Sequence, residues 1–169
     1  MRRFITPTFG ALMLVQAAAA VAGGQARAAG SEPTACSILS TREIEQITKR
    51  TNRFNIPPQA SAPPETPKGV TECDYLGITV SLTAGMTAKW FDQSRESQIK
   101  NKENVERASG IGDDAYYWSR LQGSNSLSGL MVRIGSTRLS IMDMLPADSI
   151  AIVRPTLVAL AKAAEPKLR

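Results

Sequence analysis

The chain has 169 residues, with 20 Lys plus Arg against 15 Asp plus Glu, 43% hydrophobic residues, two cysteines and no histidine. The lack of histidine removes Ser-His-Asp and Cys-His nucleophilic systems, histidine general bases and histidine metal ligands together, and two cysteines are too few for a cysteine-only zinc site. Any catalysis would have to use carboxylates, Lys, Tyr or an unusual Ser, and neither a metal nor an organic cofactor is expected.

The first element, residues 1–28, reads as a secretory signal peptide. Arg2 and Arg3 supply the positive start, and the run from Phe9 to Gly24 holds no charge and only one strongly polar residue, Gln16. Ala26 and Ala28 then occupy the −3 and −1 positions for cleavage after Ala28. A transmembrane reading is poorer, because the run is rich in Ala and Gly and falls short of the ~20 strongly apolar residues that a spanning helix needs. Arg2-Arg3-Phe4-Ile5 leaves a twin-arginine route open beside the general one. A lipoprotein would need a cysteine directly after the apolar run, whereas Cys36 follows Glu32-Pro33-Thr34-Ala35 well downstream. The expected location is therefore periplasmic or secreted, with no stable membrane span after cleavage.

Loss of Arg2, Arg3 and Arg27 with the signal leaves 17 basic against 15 acidic residues. That balance forms no basic stripe, so nucleic acid is not an expected partner. The remaining chain of about 140 residues suits one domain with an ordinary core. Export delivers two thiols to an oxidising compartment, and a cystine between Cys36 and Cys73 is the plain reading.

Residues 29–35 read as a flexible leader before a single domain at 36–169. Ser40 with Glu43 three residues on forms a capping box, and Leu39 with Ile44 a hydrophobic staple, so a helix is expected from here to about Thr51. Prolines at 57, 58, 63, 64 and 67 make 55–69 an extended, poorly packed loop. From Val70 the apolar period changes to two. Val70 to Tyr75 and Ile78 to Thr83 are expected to pair as strands around Gly77. Thr87 to about Lys102 favours helix, with Trp90 and Phe91 packing its first turns.

Ala115 to Leu121 reads as a strand, Gln122 to Ser126 as a flexible loop, and Leu130 to Ile134 and Leu139 to Ile141 as the rest of a meander turning at Gly135-Ser136. Ile150, Val153, Leu157, Leu160 and Ala164 recur at helical steps, with Pro155 expected to kink that helix or to mark where its regular part begins. The fold class is α+β: one antiparallel sheet with helices packed on one face, in the order α-β-β-α-β-β-β-α.

Three groups of side chains are candidates for function. Asp113 and Asp114, after Gly110 and Gly112, could bind a cation or act as the acid and base of a carboxylate-dependent hydrolase. Their structural alternative is a turn in which the glycines bend the chain and the aspartates bond to backbone amides. Tyr116, Tyr117 and Trp118 put aromatics on both faces of one strand, where an uncovered ring could stack on a sugar or on an apolar side chain. Arg120, Arg133 and Arg138 lie on neighbouring strands and could converge on an anion.

Several short motifs in fixed order add a resemblance: Cys-Ser-Ile-Leu-Ser at 36–40, Cys-Asp-Tyr at 73–75, Gly-Ile-Gly-Asp-Asp-Ala-Tyr at 110–116, Val-Arg-Ile-Gly at 132–135 and the terminal Ala-Leu-Ala-Lys-Ala-Ala. Together they resemble an exported bacterial family of unknown function, found as secreted proteins or lipoproteins and similar in fold to PsbP-like α+β domains. The resemblance implies a disulfide and a binding or accessory role, and it supplies no catalytic residues. The expected function is a non-enzymatic accessory domain that binds a protein or small ligand in the cell envelope, with a carboxylate-dependent hydrolase using Asp113 and Asp114 as the alternative. The expected binding surfaces are the sheet face and the 122–126 loop.

Overall fold

The computed structural model describes residues 33–51, 57–60, 69–101, 103–146 and 150–169, and the side chains of 145, 146 and 150–152 fall outside the description. The segment expected as a signal peptide, most of the expected leader and most of the proline-rich stretch lie outside the described residues. The described residues belong to one compact unit, Glu32–Arg169.

Chain order is α1 (Ala35–Ile38), α2 (Thr41–Thr48), β1 (Gln59–Ala60), β2 (Val70–Tyr75), β3 (Ile78–Thr83), α3 (Ala88–Lys100), β4 (Asn104–Ala108), β5 (Asp114–Gln122), β6 (Asn125–Ile134), β7 (Thr137–Pro146) and α4 (Ile150–Ala164), which ends in a short 3₁₀ turn, Glu165–Lys167. The fold is α+β, with one antiparallel seven-stranded sheet in the order β1-β2-β3-β7-β6-β5-β4. Two meanders meet where β3 pairs with β7 along Ile78↔Asp143 to Thr83↔Arg138.

Capping sets α2. Ser40 Oγ accepts from the Glu43 amide at 3.2 Å, and Glu43 Oε2 accepts from the Ser40 amide at 2.7 Å. The helix stops at Lys49, which adopts a left-handed φ of 58°. Residues 33–35, expected as leader, are instead held against the sheet. Ala35 is fully buried, its amide donates to Thr71 Oγ1, and Cys36 is bonded to Cys73 on β2. The proline-rich stretch likewise supplies β1, in which Gln59 and Ala60 pair with Asp74 and Cys73.

Side-chain alternation divides the sheet into two faces. Cys73, Tyr75, Ile78, Val80, Leu139, Ile141, Leu130, Val132 and Ala115 share one face and form the main core with residues of α1, α2 and α4. Tyr116, Trp118 and Met131 point the other way and pack with Met86 and with Phe91 of α3. The helices therefore lie on both faces rather than one. The reason is the crossover: β3 to β4 spans four strand spacings, about 19 Å, and a helix as long as α3 covers about 20 Å. Its route passes over β7, β6 and β5. Only Phe91 of α3 is buried, and Trp90, expected to pack, is 58% exposed.

Two further elements differ from the expected order. β4 is an additional strand, paired antiparallel with β5 from Asn104↔Ser119 to Ala108↔Ala115. The 122–126 segment is not an open loop but a two-residue hairpin turn at Gly123-Ser124, between strands that pair as far as Gln122↔Asn125. Pro155 lies inside α4, so that helix begins before it.

Candidate functional site

The Gly110–Asp114 segment is built as a clamp between two turns. Gly112 has φ +56°, and a Cβ there would stand 2.5 Å from both Arg133 O and Val132 Cγ1, so glycine is needed for conformation and for space alike. Asp113 Oδ2 accepts from the Gly135 amide at 2.7 Å and from Arg133 Nη1 at 3.3 Å. Asp114 Oδ1 accepts from the Ala115 amide at 2.9 Å, and its carboxylate faces Arg95 and Arg107 at 3.7 Å each. The two aspartates thus hold separate sets of partners. Among the described residues no group of three or more acidic or cysteine side chains is placed to hold a metal ion.

The aromatic strand is divided by its own alternation. Tyr116 is fully buried against Phe91, ring centroids 5.2 Å apart, and its hydroxyl donates to Ser94 Oγ at 3.3 Å. Burial raises the Tyr116 phenol pKa, with Ser94 and nearby arginines opposing. Trp118 is buried across Gly129, whose missing side chain leaves room for the indole. Tyr117 faces the opposite layer, half-buried, with the Arg154 guanidinium 5.1 Å above its ring. Burial raises its phenol pKa and Arg154 opposes the shift. Tyr116 and Trp118 are therefore side chains of the smaller core.

The three arginines do not converge, although Arg133 and Arg138 stand directly opposite each other on β6 and β7. Arg133 pairs with Asp113, Arg138 donates to Thr83 Oγ1 at 3.0 Å, and Arg120 faces Glu103 at 3.7 Å. Arg120 is opposite Leu127, six positions along β6 from Arg133, which is about 20 Å of strand.

A recess better suited to binding lies at the far end of the sheet, between α2 and the β2–β3 turn. It has a volume of about 310 Å³ and is walled by Ile44, Pro57, Pro58, Tyr75 and Leu76, with Thr41, Gln59 and Asp74 as polar margins. The turn that forms one wall is strained. Leu76 and Gly77 both have positive φ, 51° and 86°. A two-residue turn of that hand joins twisted strands well, but it puts a leucine where L side chains are disfavoured. Arg50 holds the turn: Nη1 donates to Leu76 O at 3.2 Å while Nη2 pairs with Asp143 on β7 at 2.6 Å. The other wall is fixed by Tyr75, whose hydroxyl lies close to two carbonyl oxygens, Leu39 O at 2.9 Å and Ala35 O at 3.2 Å. Burial, and secondarily the Glu43 charge, push the Tyr75 phenol up to about 12.

Sequence reasoning did not single out this recess. Ile44 was visible as a core residue and the prolines as a loop, but nothing in Tyr-Leu-Gly marks Leu76 as left-handed. No helix among the described residues is long and apolar enough to cross a membrane. In comparisons with known proteins, no family model, no curated protein and no solved structure matches this chain.

Proposed function

We propose that this chain is an exported accessory domain, periplasmic or secreted and non-enzymatic, which binds a small ligand with an apolar body in the recess between α2 and the β2–β3 turn. The observation that carries the reading is the recess itself: an apolar hollow of about 310 Å³ beside a strained turn, the size and lining usual for small-molecule sites. Backbone strain of this kind persists where surrounding contacts over-determine it and clusters at ligand clamps. Export is supported by the N-terminal charge and apolar pattern together with the Cys36–Cys73 disulfide. Membership of the exported bacterial family with PsbP-like domains belongs to the same proposal and rests on the order of the shared motifs.

The test is a titration of the exported protein with the neutral solvatochromic dye Nile red. Saturable enhancement is expected in the parent protein and should be lost in Thr41→Trp, which fills the recess without altering the unfolding midpoint. Absence of saturable binding, or equal binding by Thr41→Trp, would overturn the site. Intact mass of envelope protein should correspond to a chain starting at Ala29, and recovery of Met1 would overturn export.

A further inference from the structure

The sheet face under α1, α2 and α4 is apolar over most of its area, but one row across it is polar. Register sets Asn104 opposite Ser119, Ser119 opposite Ser128, and Ser128 opposite Asp143. Directly opposite residues of antiparallel strands share a face, so these four side chains are neighbours in line. The next row on the same face is Tyr117, Leu130, Ile141 and Val80, which shows what a purely structural solution looks like.

Exposure falls steadily along the polar row. Asn104 is exposed and Ser119 half-buried, while Ser128 and Asp143 retain 6% and 2% of their surface. At the closed end Asp143 Oδ2 is taken by Arg50, but Oδ1 is buried with no hydrogen-bond partner among the described residues. Ser128 shares a hydroxyl contact of 3.2 Å with Ser126 Oγ. A buried acceptor such as Asp143 Oδ1, left without a partner, calls for a donor from outside the described side chains and backbone.

Two cavities follow the same line. The mouth, about 450 Å³, is bordered by Asn104, Val105, Glu106, Ser119 and Arg154. A throat of about 10 Å³ shares Asn104, Ser119 and Arg154 with it and reaches Ser128. The throat holds about one water, and the mouth is large enough for a small ligand. Charge at both ends is already balanced, by Arg154 with Glu106 at 2.6 Å and by Arg50 with Asp143. A charged ligand would meet no counter-charge in excess. A molecule bearing neighbouring hydroxyls would accept from Arg154 and donate to Glu106 at once.

We propose that this row is a binding site for a small, neutral, hydroxyl-rich molecule, a polyol or monosaccharide, seated at the mouth among Arg154, Glu106, Asn104 and Ser119. A water in the throat extends the hydrogen-bond chain from the ligand to Ser128, which stands opposite Asp143 in the row. The site lies apart from the apolar recess, and the two proposals are tested by separate variants.

The experiment is an amide chemical-shift titration of the exported protein with glycerol, glucose and N-acetylglucosamine as probes. Saturable shifts are expected at Asn104, Ser119 and Ser128, extending to Asp143, with at least one probe. Ser119→Val, at a half-exposed position that tolerates the change, should weaken that binding about tenfold, and Asp143→Asn should damp the shift transmitted to Ser128. No saturable shift with any of the three probes would overturn the proposal. So would shifts confined to Ile44 and Leu76, or unchanged affinity in Ser119→Val.

Discussion

Glu43 ties α2 to the C-terminal 3₁₀ turn, and its titration offers a quantitative test of that tie. Its carboxylate accepts from the Ser40 amide and hydroxyl, and Lys167 Nζ lies 2.9 and 3.0 Å from its two oxygens. The Ser40 backbone hydrogen bond, with Lys167 adding, lowers the Glu43 pKa from 4.5 to about 2. A depressed carboxyl pKa stabilises the fold above the unfolded value and loses that contribution as pH falls through the folded one. Fully expressed, the difference is worth about 3 kcal/mol. The Glu43 side chain is 33% exposed, however, and solvent screening brings the expected contribution to about 1–2 kcal/mol. Glu43→Gln preserves a hydrogen-bonding residue at the third helical position while removing the charge. Urea unfolding at a series of pH values should show the parent more stable by about 1–2 kcal/mol above pH 4.5, and the two proteins converging towards pH 2. A gap that stays constant from neutral pH down to about 2 would refute the electrostatic account.

The remaining predictions concern the covalent tie, the smaller core and the buried phenol. Replacing both Cys36 and Cys73 with Ser should lower unfolding free energy by about 4 kcal/mol on the chain-entropy model, with the secondary structure retained by circular dichroism. Free thiols detected in the native protein would contradict the bond. In Gly129→Ala, the new Cβ would stand 2.6 Å from Trp118 Cε2 and closer still to Nε1, so the indole must move. A loss of about 1–3 kcal/mol with altered tryptophan fluorescence is expected, and unchanged fluorescence would show that the ring does not lie where the structure has it. Because the Tyr75 phenol is raised from 10.0 to about 12, the unfolded chain ionises first and stability falls as pH rises through that window. Tyr75→Phe should remove that component and, through loss of its hydroxyl, cost about 1 kcal/mol at neutral pH. An identical alkaline profile in the two proteins would argue against the assignment.

What could be read from the residues alone was mostly local. Ser40 and Glu43 meet within one helical turn, so the capping box and the helix it starts need no tertiary information. Leu130, Val132 and Ile134 alternate cleanly because one side of β6 faces the main core. β4 escaped notice because Asn-Val-Glu-Arg-Ala carries only Val105 and Ala108 as apolar residues, and they face opposite layers. The placement of α3 escaped for a different reason. Its sequence offers Trp90 and Phe91 side by side, and only the strand order, with β4 at the far edge, sends the helix across the second face and leaves Phe91 inside and Trp90 outside.

The same limit governs the functional sites. The Gly110–Asp114 motif attracted attention because its unusual residues are contiguous, yet Asp113 lies in the bend before β5 and Asp114 opens the strand, and the two end with different partners. The polar row is the reverse case. Asn104, Ser119, Ser128 and Asp143 are ordinary residues, each on a different strand, and each is unremarkable beside its chain neighbours. Only the registers of three strand pairs bring them into line. One residue of slip in any of those pairs would send part of the row to the other face and break it. A site assembled by register in this way also constrains its own strands, because Ser128 lines the throat and Asp143 pairs with the Arg50 guanidinium that holds the β2–β3 turn. The row and the recess therefore share one anchor, Arg50, and a substitution at Arg50 should disturb both sites, whereas Ser119→Val and Thr41→Trp should each disturb one.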